Sequence, residues 1–512
     1  MSAPTPTSDR SAAALRGGVW APQYRGLTAG LVLTITFVAV EALAVLTIMP
    51  RVARDLGGVS LYGWVFSAFM LASLVGAVAA GRDADRVGPA RPYLVGLALF
   101  AAGLAVAGLA HSMAVLVVGR CLQGLGAGAT PAIMYVAIGR RLPERVRPQM
   151  MAVLSTAWVV PGLLGPVLSA EVTRAFGWRV VFLGLIPLVG LAGALSLPPL
   201  ARIGRPTSED GAVSESTVGL QHASEQASAQ PAPTAPSATG EPAKRGRAGE
   251  HALADALRTA VGGALVLEAL ASSSPALAAA LAAAGLAIGV PALRRLLPVG
   301  TLAARRGLPA TILSRGLLTF AFFGADAYVT LAFTTVLHQS TTATAVFITL
   351  PTLTWTVGAW LQARLSHSRQ GRGFIRVGLV LLLGGIAGMA ISLRPGVPVW
   401  VAFLAWSAAG LGMGLAYAPT SLLTLREASA HRTGWASASL NLADVLGTAL
   451  GTGLGGGALV LASNQHWPLS TGVTVAFALA GAGALAGLAV SRRLPMHGVE
   501  QAERAKRVSW AA

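Results

Sequence analysis

Charge is scarce in this chain. Asp, Glu, Lys and Arg make up 11% of the 512 residues, against about 25% in an ordinary soluble domain. Too few charges are present to hydrate a water-facing surface of normal size, which excludes a soluble enzyme. Cysteine is scarcer still. Cys121 stands alone in an apolar run, so neither an intrachain disulfide nor a Cys-rich metal site can form, and an extracellular disulfide scaffold is excluded. Lysine is confined to Lys244 and Lys506 among 38 basic residues, which we read as the coding bias of a GC-rich, bacterial sequence and not as function. What the chain has instead is apolar residues, 54% of the total, with a mean hydropathy of +0.65. The net charge of +18 would suit nucleic acid, but with so few charges their placement matters more than their sum.

A helix needs about 20 mostly apolar residues to cross a hydrocarbon core about 30 Å thick. Runs of that kind recur from end to end, near 27–49, 61–81, 93–111, 113–137, 149–170 and 178–199, and after a break near 252–271 and 276–293. Six more follow, at 311–337, 342–362, 375–393, 397–424, 434–462 and 470–491. The expected fold is therefore an all-α integral membrane protein with fourteen transmembrane helices. The pair at 252–293 leaves two readings open, since its first member carries Arg258 and Glu268 and its second is short: two spans, or a re-entrant or surface-lying hairpin. The first apolar run exceeds a signal peptide's core and continues through Glu41 to Pro50, so it reads as a span. Residues 201–251 contain no aromatic residue and are rich in Ser, Ala and Pro, the composition of a disordered linker.

Lys and Arg are retained on the cytoplasmic side of membranes. With the N-terminus inside, 32 of the 38 basic residues fall on the inner face; only Arg51, Arg54, Arg174, Arg179 and Arg394 fall outside, and Arg120 lies within a span. The expected organisation is a cytoplasmic tail (1–26), a six-helix half (27–199), a cytoplasmic linker (200–251) and an inserted helix pair (252–293). A cytoplasmic loop (294–310), a second six-helix half (311–491) and a cytoplasmic tail (492–512) complete it.

The halves repeat. Gly124-Leu-Gly-Ala-Gly128 reappears as Gly410-Leu-Gly-Met-Gly414, an offset of 286, which also carries Trp158 onto Asp444 and Gly165 onto Gly451; an offset of 285 carries Glu41 onto Asp326. Repeated halves around a central site are a common build for secondary transporters.

Glu41, Arg120, Asp326 and Asp444 are the charged residues read as lying well inside spans. A charge at the bilayer centre costs about 2.5–3.5 kcal/mol on insertion scales, so such residues face the bundle interior and usually serve transport. Carboxyls there can exchange protons near neutral pH, which is the chemistry of coupling to a proton gradient. The alternative is that some of them pair statically with Arg120 and only hold helices together. Glu268, in the hairpin of open topology, reads as an interfacial residue. Arg120, Gln123 and Gly124 share a helical face; the guanidinium could hold a carboxyl unprotonated until substrate arrives, or be a structural partner. Trp64, Trp178 and Trp400 sit near span ends, where an interfacial belt accounts for them. Gln123, Trp158, Phe322, Phe323, Tyr328, Trp355, Tyr417 and Asn441 lie deeper and are candidates to line a substrate pocket, against the plainer reading of helix packing.

Four stretches carry a family resemblance. Gly81-Arg-Asp-Ala-Asp85-Arg86-Val-Gly88-Pro-Ala-Arg91 resembles the loop motif between the second and third spans of the major facilitator superfamily, with Pro89 and Ala90 where that family usually has a basic residue. Arg120 to Gly126 resembles its fourth-span motif. Gly162-Leu-Leu-Gly165-Pro166 resembles the fifth-span motif of exporters, with Ser169-Ala170 replacing the usual glycine pair. Glu41 to Pro50 resembles the first-span motif. Together they are similar to the fourteen-span drug:proton antiporters. The resemblance implies two six-helix halves with two helices inserted between them. It further implies that Gly81, Asp85, Arg86, Gly88 and Arg91 latch the halves, and that Gly162, Gly165 and Pro166 shape a central gate. Asp85 is expected where a helix resumes, capping its amides.

The leading expectation is a proton-coupled exporter of amphipathic or hydrophobic small molecules, working by alternating access, with coupling at Glu41, Asp326, Arg120 and Asp444. The nearest alternative is a proton symporter for a nutrient, disfavoured because the spans offer few polar groups beyond Gln123, Asn441 and Arg120. A membrane enzyme or receptor is less favoured: no nucleophile motif, paired metal-ligand His or phosphate-binding loop occurs. No enzymatic activity, cofactor or metal is expected. The partners are small-molecule substrate, protons and the bilayer, without nucleic acid, and the chain is expected to act as a monomer in a bacterial inner membrane.

Overall fold

The computed structural model describes residues 18–202 and 241–495, apart from 144–145, 147–148, 151–152, 155–156, 158, 273, 366–370 and 428–432. The described residues form helices and turns. In lipid every backbone amide must be satisfied within its own segment, and an apolar chain meets that demand as helix. The first half contains α1 (Arg25–Leu56), α2 (Tyr62–Val87), α3 (Ala90–Gly108), α4 (Met113–Arg141) and α5 (Val159–Phe176). Its last span is broken into α6 (Trp178–Leu183) and α7 (Ile186–Ala201). A hairpin of α8 (Glu241–Ala271) and α9 (Pro275–Leu296) follows. The second half contains α10 (Leu308–Leu331), which ends in a π-helical turn at Ala332–Val336, then α11 (Thr341–Leu365) and α12 (Gly371–Ser392). It closes with α13 (Trp400–Glu427), α14 (Thr433–Asn464) and α15 (Leu469–Val490). Taking α6–α7 as one span gives fourteen helices among the described residues, of which twelve are long and apolar enough to cross a membrane; α5 and α8 fall outside that set.

The halves have the same internal plan. In the first, α4 packs between α2 and α3, while α1 packs on α5 and α7; in the second, α13 packs between α11 and α12, while α10 packs on α14 and α15. The repeated glycine pentamer builds this plan. A Cβ at Gly124 or Gly128 would collide with Phe69 and Ser73 of α2, and one at Gly126 with Gly96 and Phe100 of α3. Two hundred and eighty-six residues on, Gly410 and Gly414 meet Pro351 and Trp355 of α11, and Gly412 meets Gly378 and Leu382 of α12. Each pentamer thus presses its outer glycines on one neighbour and its middle glycine on another. The halves join along two seams, α2 on α14 and α5 on α11, which exchange second and fifth helices.

Several sequence expectations change. Helix α1 continues through Pro50 to Leu56, so the proline lies within the helix and not at its end. Helix α8 begins at Glu241, inside the segment expected to be linker, whereas residues 203–240 lie outside the described residues. Asp85 falls in the last turn of α2; the cap position of α3 belongs to Pro89, which has no side chain able to cap, so no helix resumes at Asp85. Trp178, expected in an interfacial belt, is buried edge-on to Phe182 beneath the Arg179 guanidinium. Trp400 is exposed, as a belt residue would be.

Candidate functional site

Two charge clusters lie inside the bundle, one in each half, the first buried and the second half-buried. In the first, α1 brings Glu41 and α4 brings Arg120 and Gln123, one helical turn apart. All three are buried. Arg120 Nη1 donates to Glu41 Oε1 and, at 2.9 Å, to Gln123 Oε1; Arg120 Nε donates to the Val65 carbonyl of α2 at 3.1 Å. Gln123 Nε2 reaches Glu41 Oε1 at 3.4 Å, and the guanidinium lies 4.3 Å from the Phe69 ring centre. Glu41 Oε2 is buried without a hydrogen-bond partner. Three helices are thus tied through one guanidinium, and one oxygen of the acid is left over.

The second cluster joins α10, α13 and α14. Arg315 Nε and Nη2 donate to the two oxygens of Asp444 at 2.9 and 3.1 Å, a bidentate pair. Arg315 Nη1 donates to the Tyr417 carbonyl at 2.7 Å and to Thr420 Oγ1 at 2.8 Å, while the Tyr417 hydroxyl donates to Asp444 Oδ2 at 2.8 Å. Sequence reasoning misses Arg315, because it counts that residue with the basic residues of the preceding loop. Yet Arg315 stands two turns inside α10 with a buried side chain. Its position inside the apolar run 311–337 is the signal that could have found it.

Asp326 differs from both other acids. It lies in the last third of α10 and, among the described residues, forms no ion pair. The Trp406 indole reaches it from α13, and the Trp406 Nε1–H has no hydrogen-bond partner. The Thr330 hydroxyl one turn on, and the Tyr62 hydroxyl from α2, are also buried and unpartnered. Unsatisfied buried groups from α2, α10 and α13 thus lie about Asp326, and such groups are rare in folded proteins away from sites of function.

Aromatic rings bridge the two acids of the second half. Phe322 stacks on Trp406 (centroids 5.4 Å apart) and meets Trp355 edge-on at 5.5 Å; Trp355 lies 6.4 Å from Phe323 and 5.3 Å from Tyr417. The structure thus brings Phe322, Phe323, Trp355 and Tyr417 together. It places the other candidates elsewhere: Gln123 in the Arg120 cluster, Asn441 exposed on α14, and Tyr328 against Tyr62 with its hydroxyl donating to the Thr452 carbonyl. Trp158 lies outside the described residues.

The motif residues divide likewise. A Cβ at Gly162 would collide with Thr352 of α11, so this part of the fifth-span motif forms the seam itself. Gly165 faces Leu43 of α1, and its repeat, Gly451, packs on Gly324 of α10. Pro166 lies inside α5. At the other motif, Gly81 is open and Gly88 ends α2, with φ at 90°; Arg86 is exposed, and Arg91 approaches Asp83 at 3.9 Å. Glu268 is exposed on α8.

The arrangement, a repeated helical bundle with acids inside it beside its seams, agrees with comparison to known proteins. A probable multidrug-efflux transporter of Mycobacterium tuberculosis (strain H37Rv) is 26% identical over 491 residues, 92% of this chain and 96% of that protein. Multidrug resistance protein 3 of Bacillus subtilis is 33% identical over 168 residues, about a third of each chain. The crystal structure of a human organic anion transporter superposes with a TM-score of 0.57 at 16% identity, covering 92% of this chain and 99% of that one, a likeness of fold. Residues 29–452 match the Major Facilitator Superfamily, and the chain belongs to that family of multi-pass membrane transporters.

Proposed function

We propose that the chain is a proton-coupled exporter of amphipathic or hydrophobic small molecules, working by alternating access in a bacterial inner membrane with both termini in the cytoplasm. The observation that carries this reading is the contrast among the three acids inside the bundle, Glu41 buried and Asp326 and Asp444 half-buried. Asp444 is held by a bidentate guanidinium and a tyrosine hydroxyl, Glu41 by one guanidinium contact with an oxygen to spare, and Asp326 by no cation. A carboxyl without a cationic partner is the one whose charge changes at least cost to its surroundings. Asp326 is accordingly assigned as the main proton carrier. Glu41 serves with it, poised by Arg120, and Asp444 with Arg315 sets the electrostatics of the second half. Phe322, Trp355 and Tyr417 supply the apolar wall against which an amphipathic compound rests, near Asp326 on one side and Asp444 on the other. Export is favoured by the glycine–proline motif on the α5–α11 seam and by the names of the bacterial relatives.

Two measurements test this. In proteoliposomes, Asp326→Asn should reduce proton-driven efflux of a fluorescent amphiphile by about a hundredfold, the scale lost with one proton-transferring group. Glu41→Gln should reduce it less, and full activity in both variants would overturn the assignment. In cells, expression should lower accumulation of such a compound and an uncoupler should restore it. Raised accumulation would instead indicate import.

A further inference from the structure

The α8–α9 hairpin occupies one place on the bundle that the transport reading does not use. Among the described residues, α9 packs on α8, and α8 packs on α2 of the first half and α14 of the second, the two helices of one seam. A hydrophobic cluster separate from the main core forms there, with Leu71 and Leu74 of α2, Ala256, Ala260 and Leu267 of α8, and Leu446 and Ala449 among those of α14. The hairpin is itself a rigid unit. Gly262 of α8 meets Gly285 and Gly289 of α9 backbone to backbone, and Asp255 takes Arg258 and Arg295 at 3.1 and 3.3 Å, the second across the hairpin.

Its attachments to the halves are unequal. On α14, Gly453 and Gly457 receive Leu267 and Leu270 so closely that a Cβ at either glycine would collide. Eleven residues, 297–307, join α9 to α10, and Leu297 and Ile312 enter the same cluster. On α2 the fit is looser: Leu71 lies 3.2 Å from where a Cβ at Gly263 would stand. Thirty-nine residues, 202–240, separate α7 from α8. By its short covalent link and its close fit at Gly453 and Gly457 the hairpin goes with the second half, while it also packs along α2.

The closest approaches along this seam lie toward the α1–α2 end of the bundle. Ser67 of α2 donates to the Ala449 carbonyl and meets Thr452 Oγ1, both at 3.0 Å, and Gly63 abuts Gly456. Opening that end requires α2 to leave α14, and α2 must then leave α8 as well. We infer that the α8–α9 hairpin is a side arm of the second half that clasps α2 while the α1–α2 end is closed, and so biases the transporter toward that state. A contact made in one state only shifts the population by its own free energy. The inference rests on the alternating-access reading above.

Spin labels at Arg54→Cys and Gln465→Cys in a Cys121→Ser background report the opening of that end, one label on each half. Gly263→Leu drives a wedge between α8 and α2, where Leu71 is the side chain nearest the Cβ position. It should raise the long-distance component roughly threefold or more, about the effect of losing one modest packing contact. Leu71→Gly added to it should return the distribution toward wild type. Leu286→Ala, on the exposed face of α9, should leave it unchanged. An unshifted distribution in folded Gly263→Leu protein would overturn the clasp. Should that variant not fold, Leu71→Cys with Gly263→Cys serves in its place: bridging the pair should stop transport and hold the short distance, and undiminished transport when bridged would overturn the inference. A wild-type chain with one fixed distance at every pH would remove the alternating-access reading together with the clasp. Two components in wild type that ignore Gly263→Leu would remove the clasp alone.

Discussion

Arg120 and Arg315 are both buried guanidiniums, yet they hold their acids differently, and the difference predicts different consequences of removing them. Arg315 satisfies both oxygens of Asp444 and also a carbonyl and a hydroxyl of α13. Arg315→Ala removes the cation from Asp444 and leaves it with the Tyr417 hydroxyl alone, a loss on the order of 3–5 kcal/mol for one partner of a buried pair. The expected result is a clear drop in thermal stability in detergent. Arg315→Met with Asp444→Leu should recover much of it, because an apolar pair of similar volume asks for no solvation. Equal stability of Arg315→Ala and wild type would show that the pair is not structural. Glu41, Arg120 and Asp326 are legible in the sequence, since a charge in mid-span is too costly to face lipid and must point into the bundle. Arg315 is not: a basic residue close to a span's start has the same appearance as one retained by the inner face, and only the bidentate geometry separates the two. Trp406 is equally hidden, because one tryptophan in an apolar run carries no sign that its N–H faces an acid.

At the scale of helices, the glycine pentamers show how sequence sets packing where lipid removes the hydrophobic drive between helices. Association in a bilayer depends on close van der Waals approach, so small residues mark the contacts. Gly128 and Gly414 press on the backbones of Ser73 and Trp355 in matching positions. Gly128→Leu and Gly414→Leu should therefore be comparably damaging, each costing about 1–3 kcal/mol or more as overpacking, read as lost monodisperse protein on size exclusion. Gly190, with nothing near its Cβ position, should accept the same change. The existence and number of helices are legible, because runs of about twenty apolar residues have one stable form in a membrane. Helix ends are less so. Helix α1 runs past Pro50 and α8 starts at Glu241, since a helix does not stop where its residues turn polar. Asp85 illustrates the same limit: two helices joined by a short turn leave no sequence mark of which one owns a residue beside the turn.

For the molecule as a whole, the central fact is that the ion pairs of Glu41 and Asp444 are each internal to one half, whereas the seams between halves are made of glycines, hydroxyls and aromatic rings. A rocking transporter needs that division. Contacts that persist can be strong and charged, while contacts that break once per cycle must be cheap to solvate and reform. Neutral hydrogen bonds suit the second role, at about 0.5–1.5 kcal/mol each. Ser67 and Thr452, hydroxyl to hydroxyl at 3.0 Å, are the natural place to ask whether the α2–α14 seam opens at all. In a Cys121→Ser background, Ser67→Cys with Thr452→Cys should leave transport active under reducing conditions and stop it on oxidation, with recovery on adding dithiol. Oxidation should not release a bound fluorescent substrate, because neither residue belongs to the Phe322–Trp355–Tyr417 wall. If the oxidised, fully bridged protein still exports at the reduced rate, α2 and α14 move together and the halves part only along α5 and α11.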